Sequence, residues 1–485
     1  MNAPPAGLLY IHVFLMESDR MALCRTLSVV LLALASLPFY DQTLLAKGAD
    51  QDRPPATLPF WYTPGTQKVW DDPNQQRHDA AYAQQRRPTY DPHTVDPAYT
   101  ANKDWIIQKR ECPDLKSYLF KYESTSDTRQ GYHTDGAVIV KNGRIVFEEY
   151  SAARGFGPMQ RHLSWSMAKS VTNALLGFSK NSDVLGDDLD LNASVESYYP
   201  EVKHGGDKQP SILQYLDMSP SNKWEESYES SPITSNATNM LYIDPVRDMA
   251  SYVLSQPAKL KPGSFWEYSS GNPDVLMGVL KKAFQKKWGA VAGMNRYLSL
   301  PFQFFKRIGI ENTASNMHRI AFEPDGSGTF VGSSYLYLSA RDYARFGFLF
   351  LNDGKWGDDQ VLPPGWVAMS RRLAPAFLSP DTAIQVDRRY ANWSAITDTG
   401  VGAAHWWLNL SIKRADGDFG QPYPSAPEDT YAALGHWGQF IFVIPSQDMV
   451  IVRLGEDRDY TPAKRFDADR FLKLTLACYG NQTSH

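Results

Sequence analysis

A serine and a lysine three residues apart form the strongest chemical signal in this chain. Ser166 and Lys169 make the only Ser-x-x-Lys pattern in 485 residues. Positions three apart lie on one face of a helix, and apolar residues from Met167 to Phe178 recur at helical spacing. We expect Ser164 or Ser166 to cap that helix. The pair would supply a nucleophile and a base without histidine, although such pairs also arise by chance on solvated helices.

A tyrosine in a turn is the second candidate for chemistry. The segment Tyr268-Ser269-Ser270-Gly271-Asn272 precedes a helix that we expect to begin near Pro273. A tyrosine held beside a cleft can pass a proton between reacting groups. In a chain with 26 tyrosines, an ordinary turn tyrosine is the competing interpretation.

The third candidate is a glycine-flanked segment at the start of a predicted strand. Gly435-His436-Trp437-Gly438-Gln439 leads directly into the apolar run Phe440–Ile444. Glycines beside a strand let a substrate approach the backbone. The N–H groups of an edge strand can then stabilise a developing oxyanion. A tight entry into a strand would give the same pattern.

Composition excludes some functions. The net charge of −4 and the pI near 6.2 give no support for a nucleic-acid partner. An apolar content of 43% with 13 tryptophans favours a large packed core, or two to three smaller ones, over disorder. Gly-x-Ser-x-Gly, His-Glu-x-x-His and phosphate-binding glycine motifs are absent from the sequence. These absences leave a different class of hydrolase without support.

The first 46 residues have the pattern of a signal peptide with an over-long N-terminus. Arg20 and Arg25 precede an uncharged run over Thr26–Tyr40, and Met21 is the better start. The apolar centre is too short to span a bilayer comfortably. A retained anchor or a buried helix is the alternative. We expect export to the periplasm or the medium, with no stable membrane span once the signal is removed.

Export bears on the cysteines. Removal of the signal would take Cys24 and leave Cys112 and Cys478, near the two ends of the remaining chain. In an oxidising compartment these two residues could form a disulfide. Two free buried thiols are the other interpretation.

The remaining chain divides into a strap and a larger domain. Residues 47–105, rich in Pro, Gln, Tyr and Asp, read as a linker or strap. Asn142-Gly143 between two apolar runs predicts an early hairpin, and residues 440–454 predict a late one. Strands thus bracket a helical region. The predicted fold is α+β, a mainly antiparallel sheet flanked by helices, with an inserted helical subdomain. The domain covers 106–480, with the sheet part at about 106–160 and 320–480 and the helical part at about 161–319.

Together the three motifs resemble those of the β-lactamase and penicillin-recognising serine hydrolases. The resemblance covers roughly residues 106–480 and is strongest to the class C-like branch, which includes esterases and 6-aminohexanoate-dimer hydrolases. Further segments similar to the hexanoate-dimer group are 331–334, 340–347, 362–366 and 406–409. The resemblance implies a β-lactamase/transpeptidase-like fold and an acyl-enzyme reaction that needs neither a metal nor a cofactor.

The resemblance also implies roles for individual residues. Ser166 would be the acylated nucleophile, Lys169 its base and Tyr268 the proton relay. The backbone N–H groups of Ser166 and Gln439 would form the oxyanion hole. The substrate would be a small ester, amide or peptide, bound by the side chains or backbone of Ser270, His436, Trp437 and Gly438.

Two departures from the family pattern narrow the expected substrate. The class C Tyr-x-Asn motif has Ser270 at its third position here, and Lys-Thr-Gly is replaced by His436-Trp437-Gly438. Histidine is mostly uncharged at neutral pH, whereas the family lysine holds the β-lactam carboxylate. We therefore expect an ester or a linear amide. The alternatives are a penicillin-binding D,D-peptidase or β-lactamase activity, and a non-catalytic binding module that kept the fold.

Overall fold

The computed structural model describes most of the chain beyond residue 104. The described residues are 105–124, 127–202, 209–226, 235–242, 248–312, 319–379, 401–414, 417–459, 461 and 463–481. The predicted signal peptide lies outside them, as does the predicted strap except for Trp105. Within these ranges, no helix has the length and apolar character needed to cross a membrane.

An antiparallel sheet of seven strands forms the framework. Its spatial order is β2-β1-β14-β13-β12-β9-β8, and every neighbouring pair is antiparallel. The described strands are β1 Thr134–Lys141, β2 Arg144–Tyr150, β3 Arg161–Leu163, β4 Ala321–Phe322, β5 Leu336–Ser339, β6 Lys355–Trp356, β7 Asp359–Gln360, β8 Val401–Gly402, β9 Trp407–Leu408, β10 Ile412–Arg414, β11 Gly417–Phe419, β12 Tyr431–Gly435, β13 Gln439–Ile444 and β14 Met449–Gly455.

Both predicted hairpins are present. The β1–β2 turn contains Asn142 and Gly143 with φ of 51° and 71°, the left-handed conformation that a two-residue hairpin turn requires. The later turn, Pro445–Gln447 followed by Asp448, joins β13 to β14. Strand β14 pairs with β1, so the two ends of the domain meet in the centre of one sheet.

In chain order, most helices lie between β2 and β8 of the seven-stranded sheet. The described helices are α1 Pro113–Leu119, α2 Met167–Ser179, α3 Ile212–Leu216, α4 Asn236–Tyr242, α5 Met249–Leu254, α6 Gly271–Trp288, α7 Ala290–Arg307, α8 Ala340–Leu351, α9 Trp366–Ser370 and α10 Ala468–Tyr479. Helix α6 begins at Gly271, two residues before the expected start at Pro273. Asn272 is therefore inside the helix and buried.

The sheet separates two hydrophobic clusters because its strands alternate in side-chain direction. On β14, Val450 and Val452 face the larger cluster, which includes α2 and α8. Met449 and Ile451 face the smaller cluster, which includes α1 and α10. Burial on both faces leaves all seven residues of β14 buried, so this strand is a rigid central support.

A disulfide connects the two helices of the smaller cluster. Cys112, next to α1, is bonded to Cys478 in α10, and their Cα atoms are 6.1 Å apart. The bond closes a loop with a sequence separation of 366. It ties the beginning and the end of the described chain to one face of the sheet.

These observations confirm the predicted fold class, an α+β fold with an antiparallel sheet flanked by helices. The residue numbers chosen for the boundaries of the signal, the strap and the two parts of the domain remain predictions.

Candidate active site

Helix α2 positions the Ser-x-x-Lys pair in the interior of the molecule. All 13 residues from Met167 to Ser179 are buried. Its polar side chains bind main-chain oxygens of other elements: Ser170 donates to His405, Thr172 to Gly332 and Asn173 to Ala404. A helix buried on all sides must satisfy its polar groups, and these bonds fix its position and rotation.

The Lys169 amine contacts three oxygens at one point. Its Nζ donates to Ser166 Oγ at 2.9 Å, to Ser270 Oγ at 3.0 Å and to the main-chain oxygen of Ser333 at 3.1 Å. The residue is 2% exposed. Among the described residues no carboxylate forms an ion pair with it. The amine is therefore directed at hydroxyl and carbonyl oxygens, with the Ser166 hydroxyl in reach.

The local backbone leaves the Ser166 hydroxyl available for the contact with Lys169. Ser166 stands at the N-cap position of α2, yet its side chain makes no capping bond. Ser164 does not cap either, since its Oγ donates to the main-chain oxygens of Trp165 and Ser334. Ser166 therefore occupies the expected N-cap position, but neither serine makes the side-chain capping bond. Trp165 has a φ of 44°, a rare conformation for a large residue, and it presents Ser166 on a sharp turn.

Ser270 lies beside the lysine and bridges it to a carboxylate. Its Oγ and N–H both donate to Glu226, which also accepts from Trp224 Nε1 at 2.6 Å. Ser270 is 1% exposed and contacts both Lys169 and Glu226. The substrate-binding role that we expected for it stays a prediction. The chain of contacts runs from Glu226 through Ser270 and Lys169 to Ser166.

The ring of Tyr268 lies close to the Lys169 amine. Lys169 Nζ lies 5.0 Å from the ring centroid of Tyr268, within the range of a cation–π contact. The same ring packs against Trp407 with centroids 5.3 Å apart. No hydrogen bond joins the phenol oxygen to Ser166 or Lys169, and catalytic hydrogen bonds are often long before substrate binds.

The third motif lies next to the turn that carries Ser166. The ring of Trp165 is 5.6 Å from that of His436 and 5.4 Å from that of Trp437. Trp437 has a φ of 59°, and the Arg458 guanidinium stacks on it at 4.1 Å. A Cβ on Gly435 would lie 2.4 Å from the main-chain oxygen of Ser164. Only glycine allows this close approach, which places the end of β12 against the turn that carries Ser166.

Gln439 is fixed at the first residue of β13. It is fully buried, and its side-chain amide donates to the main-chain oxygens of His436, Trp437 and Gly455. The Gly455 N–H donates back to Gln439 Oε1 at 3.0 Å. The side chain thus holds the His436–Gly438 turn against the first residue of β13.

A narrow cleft opens at Ser166, with room for about one water molecule. Its walls are mainly aromatic and apolar. The lining residues are Ser166, Lys169, Ser170, Met218, Trp266, Tyr268, Ala403, His405, Trp406, Trp407 and Leu434. Both tryptophans of the 406–409 segment therefore reach the cleft.

Comparison with known proteins agrees with this geometry. The family model described as Beta-lactamase matches residues 119–476. This chain belongs to the beta-lactamase family. A 6-aminohexanoate-dimer hydrolase from Paenarthrobacter ureafaciens is 26% identical over 338 residues, which are 66% of this chain and 72% of the relative.

A solved structure shows the same fold. It comes from a Bacillus anthracis protein named provisionally as a 6-aminohexanoate-dimer hydrolase, with a TM-score of 0.52 and 20% identity. The match covers 83% of this chain and 94% of that one. Family membership and the named hydrolase relative identify the chain as a serine hydrolase of amides or esters.

Two buried titratable groups adjoin the site of this beta-lactamase-family chain. Asp274 is buried and accepts from the N–H and Oγ of Ser333, each at 3.1 Å. Burial raises the pKa of Asp274 to about 8, although the Lys169 charge acts in the opposite direction. Burial lowers the pKa of His405 to about 3, so its ring is neutral. The Asp274 carboxyl and the His405 ring, which adjoin Lys169, are therefore largely uncharged at neutral pH.

Sequence reasoning missed Glu226, Asp274 and His405. None of the three belongs to a recognisable motif. Each reaches the site through a contact with a residue that is distant in sequence. In the described part of the chain, no cluster of three or more His, Cys, Asp or Glu side chains could hold a metal.

Proposed function

We propose that this hydrolase cleaves a linear amide or an ester through an acyl-enzyme on Ser166, with Lys169 as general base and Tyr268 as proton relay. The observation that carries the proposal is the 2.9 Å contact between Lys169 Nζ and Ser166 Oγ at the floor of the cleft. A buried amine in hydrogen-bond contact with a hydroxyl is the arrangement that serine activation without histidine requires.

Acylation begins when Ser166 Oγ attacks the substrate carbonyl carbon. Lys169 Nζ accepts the hydroxyl proton as the new carbon–oxygen bond forms. The backbone N–H groups of Ser166 and Gln439 donate to the oxyanion. When the tetrahedral intermediate collapses, the leaving amine or alcohol receives a proton through Tyr268, and the acyl group stays on Ser166.

Deacylation repeats the sequence with water as the nucleophile. Tyr268 and Lys169 take a proton from the attacking water, and the oxyanion is held as before. Collapse then returns the proton to Ser166 Oγ and releases the carboxylic acid. Glu226 and Ser270 hold the lysine amine in place throughout, so Ser270 acts here as a positioning residue.

The third motif supports a linear substrate over a β-lactam. His436 and Trp437 stand where a small, positively charged Lys-Thr-Gly segment would leave room for a β-lactam carboxylate. Their rings pack at 4.7 Å from each other and against Trp165. The aromatic rim suits the methylene groups of an extended chain. The name of the Paenarthrobacter relative points to a linear ω-amino-acid amide as one candidate.

A turnover panel tests the proposal. It contains a short-chain nitrophenyl ester, a linear ω-amino-acid dimer and a chromogenic cephalosporin, each with the wild type and Ser166→Ala. We expect turnover of the ester or the dimer, abolished by the substitution, and slow or no cephalosporin cleavage. Fast cephalosporin cleavage would favour a β-lactamase, and stable labelling by a fluorescent penicillin would favour a D,D-peptidase. Inactivity on every substrate would favour the binding module.

We also propose that the protein is exported. The predicted signal over residues 1–46 supports this, and so does the disulfide between Cys112 and Cys478, a bond typical of oxidising compartments. Fractionation of cells that produce the full chain should find a shortened protein outside the cytoplasm. Full-length protein confined to the cytoplasm would contradict export without affecting the proposed chemistry.

A further inference from the structure

A second cavity lies at the far end of the sheet from Ser166. It has a volume of about 450 Å³, in the size range of small-molecule sites. The described residues that line it are Gln108, Arg110, Lys141, Asn142, Arg144, Val146, Tyr479, Gly480 and Asn481. Lys141 is the last residue of β1 and pairs with Met449, whereas Gln439 lies by the opposite end of the same strands. The two openings are thus roughly 15–20 Å apart along the sheet.

The described lining carries three cations and no carboxylate. Neither Arg110 nor Arg144 forms an ion pair with any described residue. The Arg110 guanidinium stacks on the Tyr479 ring at 5.0 Å, which occupies its face and leaves its edge N–H groups available. Glu149, on the same strand as Arg144, already pairs with Lys116 at 3.1 Å.

The third cation is built into the wall. Lys141 is only 8% exposed. Its ammonium donates to the main-chain oxygen of Gln447 and to Asn481 Oδ1.

Three separate chain segments meet at the cavity, and the disulfide holds two of them. Arg110 stands two residues before Cys112, and Tyr479 directly follows Cys478. The Tyr479 hydroxyl also donates to the main-chain oxygen of Arg110 at 2.6 Å. The β1–β2 hairpin supplies the remaining wall. The cavity is therefore shaped by the oxidised form of the protein.

We infer that this cavity is a second binding site, distinct from the catalytic cleft, for a small molecule that carries a carboxylate or phosphate group. The two guanidinium groups bind its oxygens through charge-assisted hydrogen bonds, the Tyr479 ring and Val146 provide an apolar wall, and the amides of Gln108 and Asn142 supply further polar contacts. Redox state controls the site because the disulfide aligns two of its walls.

Calorimetric titration of the oxidised, full protein tests this site. The probes are inorganic phosphate and citrate, with chloride at matched ionic strength as the reference. We expect saturable binding of at least one oxyanion, weakened roughly tenfold in Arg110→Gln and in Arg144→Gln. Arg296→Gln is the matched control, because Arg296 stacks on Trp288 at 4.9 Å elsewhere in the fold. Its affinity should equal that of the wild type.

The comparison of probes identifies the ligand chemistry, and a variant without the disulfide tests the role of that bond. Preference for phosphate or for citrate assigns the group, and Cys112→Ala with Cys478→Ala should weaken binding of the preferred anion. Equal binding by wild type, Arg110→Gln and Arg144→Gln would place the anion elsewhere and overturn the site. So would the absence of saturable binding by either probe. Ester or amide turnover with intact Ser166 would be unaffected by either result.

Discussion

At the scale of single residues, the site is a chain of oxygen and nitrogen contacts rather than an isolated pair. Ser166 is held by Lys169, Lys169 by Ser270, and Ser270 by Glu226. Each link fixes the rotamer of the next, and catalytic groups displaced by even an ångström lose much of their rate. The Glu226 carboxylate is thus linked to Ser166 through two intervening side chains.

Replacing Ser270 should affect the chemical step. In Ser270→Ala the lysine loses a hydrogen bond and its link to Glu226, so we expect kcat to fall by about 10–100-fold with KM nearly unchanged. Steady-state kinetics on the best substrate of the panel measures both constants. The matched control is Ser269→Ala, whose hydroxyl accepts only the Gly271 N–H. Equal kcat in the two variants would remove the positioning role.

Asp274 should make the stability of the protein depend on pH. Its pKa is raised from an ordinary 3.8 to about 8 in the folded state. Between these values the folded state binds more protons than the unfolded state, so the free energy of unfolding decreases as pH rises. Asp274→Asn removes this contribution. Urea unfolding at about pH 5 and about pH 8 should therefore show a smaller decrease in the variant; identical decreases would contradict the assignment.

At the scale of elements, helix α2 and its N-cap carry Lys169 and Ser166, the proposed base and nucleophile. Its last turns pack closely on α9. A Cβ added to Gly177 would lie 2.5 Å from the Trp366 ring, and Trp366 Nε1 donates to Asn173 at 2.9 Å. The far end of α2 is thus held as tightly as the end that bears Ser166.

Gly177→Ala should destabilise the protein through this contact. The added methyl group must displace Trp366 or the helix, and overpacking of this kind lowers the free energy of unfolding by about 1–3 kcal/mol. Gly157→Ala is the control, because a Cβ there meets no atom within 4 Å. Thermal unfolding of both variants measures the effect. Equal melting temperatures would show that α9 moves aside without loss.

Local patterns predicted the elements better than the contacts between them. The Asn142-Gly143 turn and the helical spacing after Met167 gave the first hairpin and α2 because both signals lie within a few residues. The start of α6 was missed by two residues, since nothing in Gly271 or Asn272 marks a helix. Glu226 and Asp274 could not be found because their effect depends on packing against residues far along the chain.

At the scale of the whole molecule, the disulfide and the seven-stranded sheet connect parts of the chain that are distant in sequence. Strands β1 and β14 pair across more than 300 residues, and the disulfide joins Cys112 to Cys478 on the same side of the sheet. Both links act on the smaller cluster, formed by α1, α10 and one face of the sheet.

Loss of the disulfide should lower stability while leaving the reaction intact. Because the bond closes a loop of this length, Cys112→Ala with Cys478→Ala should lose about 2–5 kcal/mol of unfolding free energy. Urea unfolding of this variant and of the wild type with and without reductant measures the loss. Turnover of the remaining folded protein should match that of the wild type. Coincident unfolding midpoints would contradict a stabilising bond.

The proposed covalent intermediate can be tested most directly by the mass of the intact protein after reaction with a fluorophosphonate probe or a slowly hydrolysed ester. The account predicts one added group, located on Ser166 by peptide mapping, absent from Ser166→Ala and formed far more slowly in Lys169→Met. Lys281→Met, another buried lysine that binds Ser327, should label like the wild type. An adduct on another residue, or hydrolysis that continues in Ser166→Ala, would contradict the account.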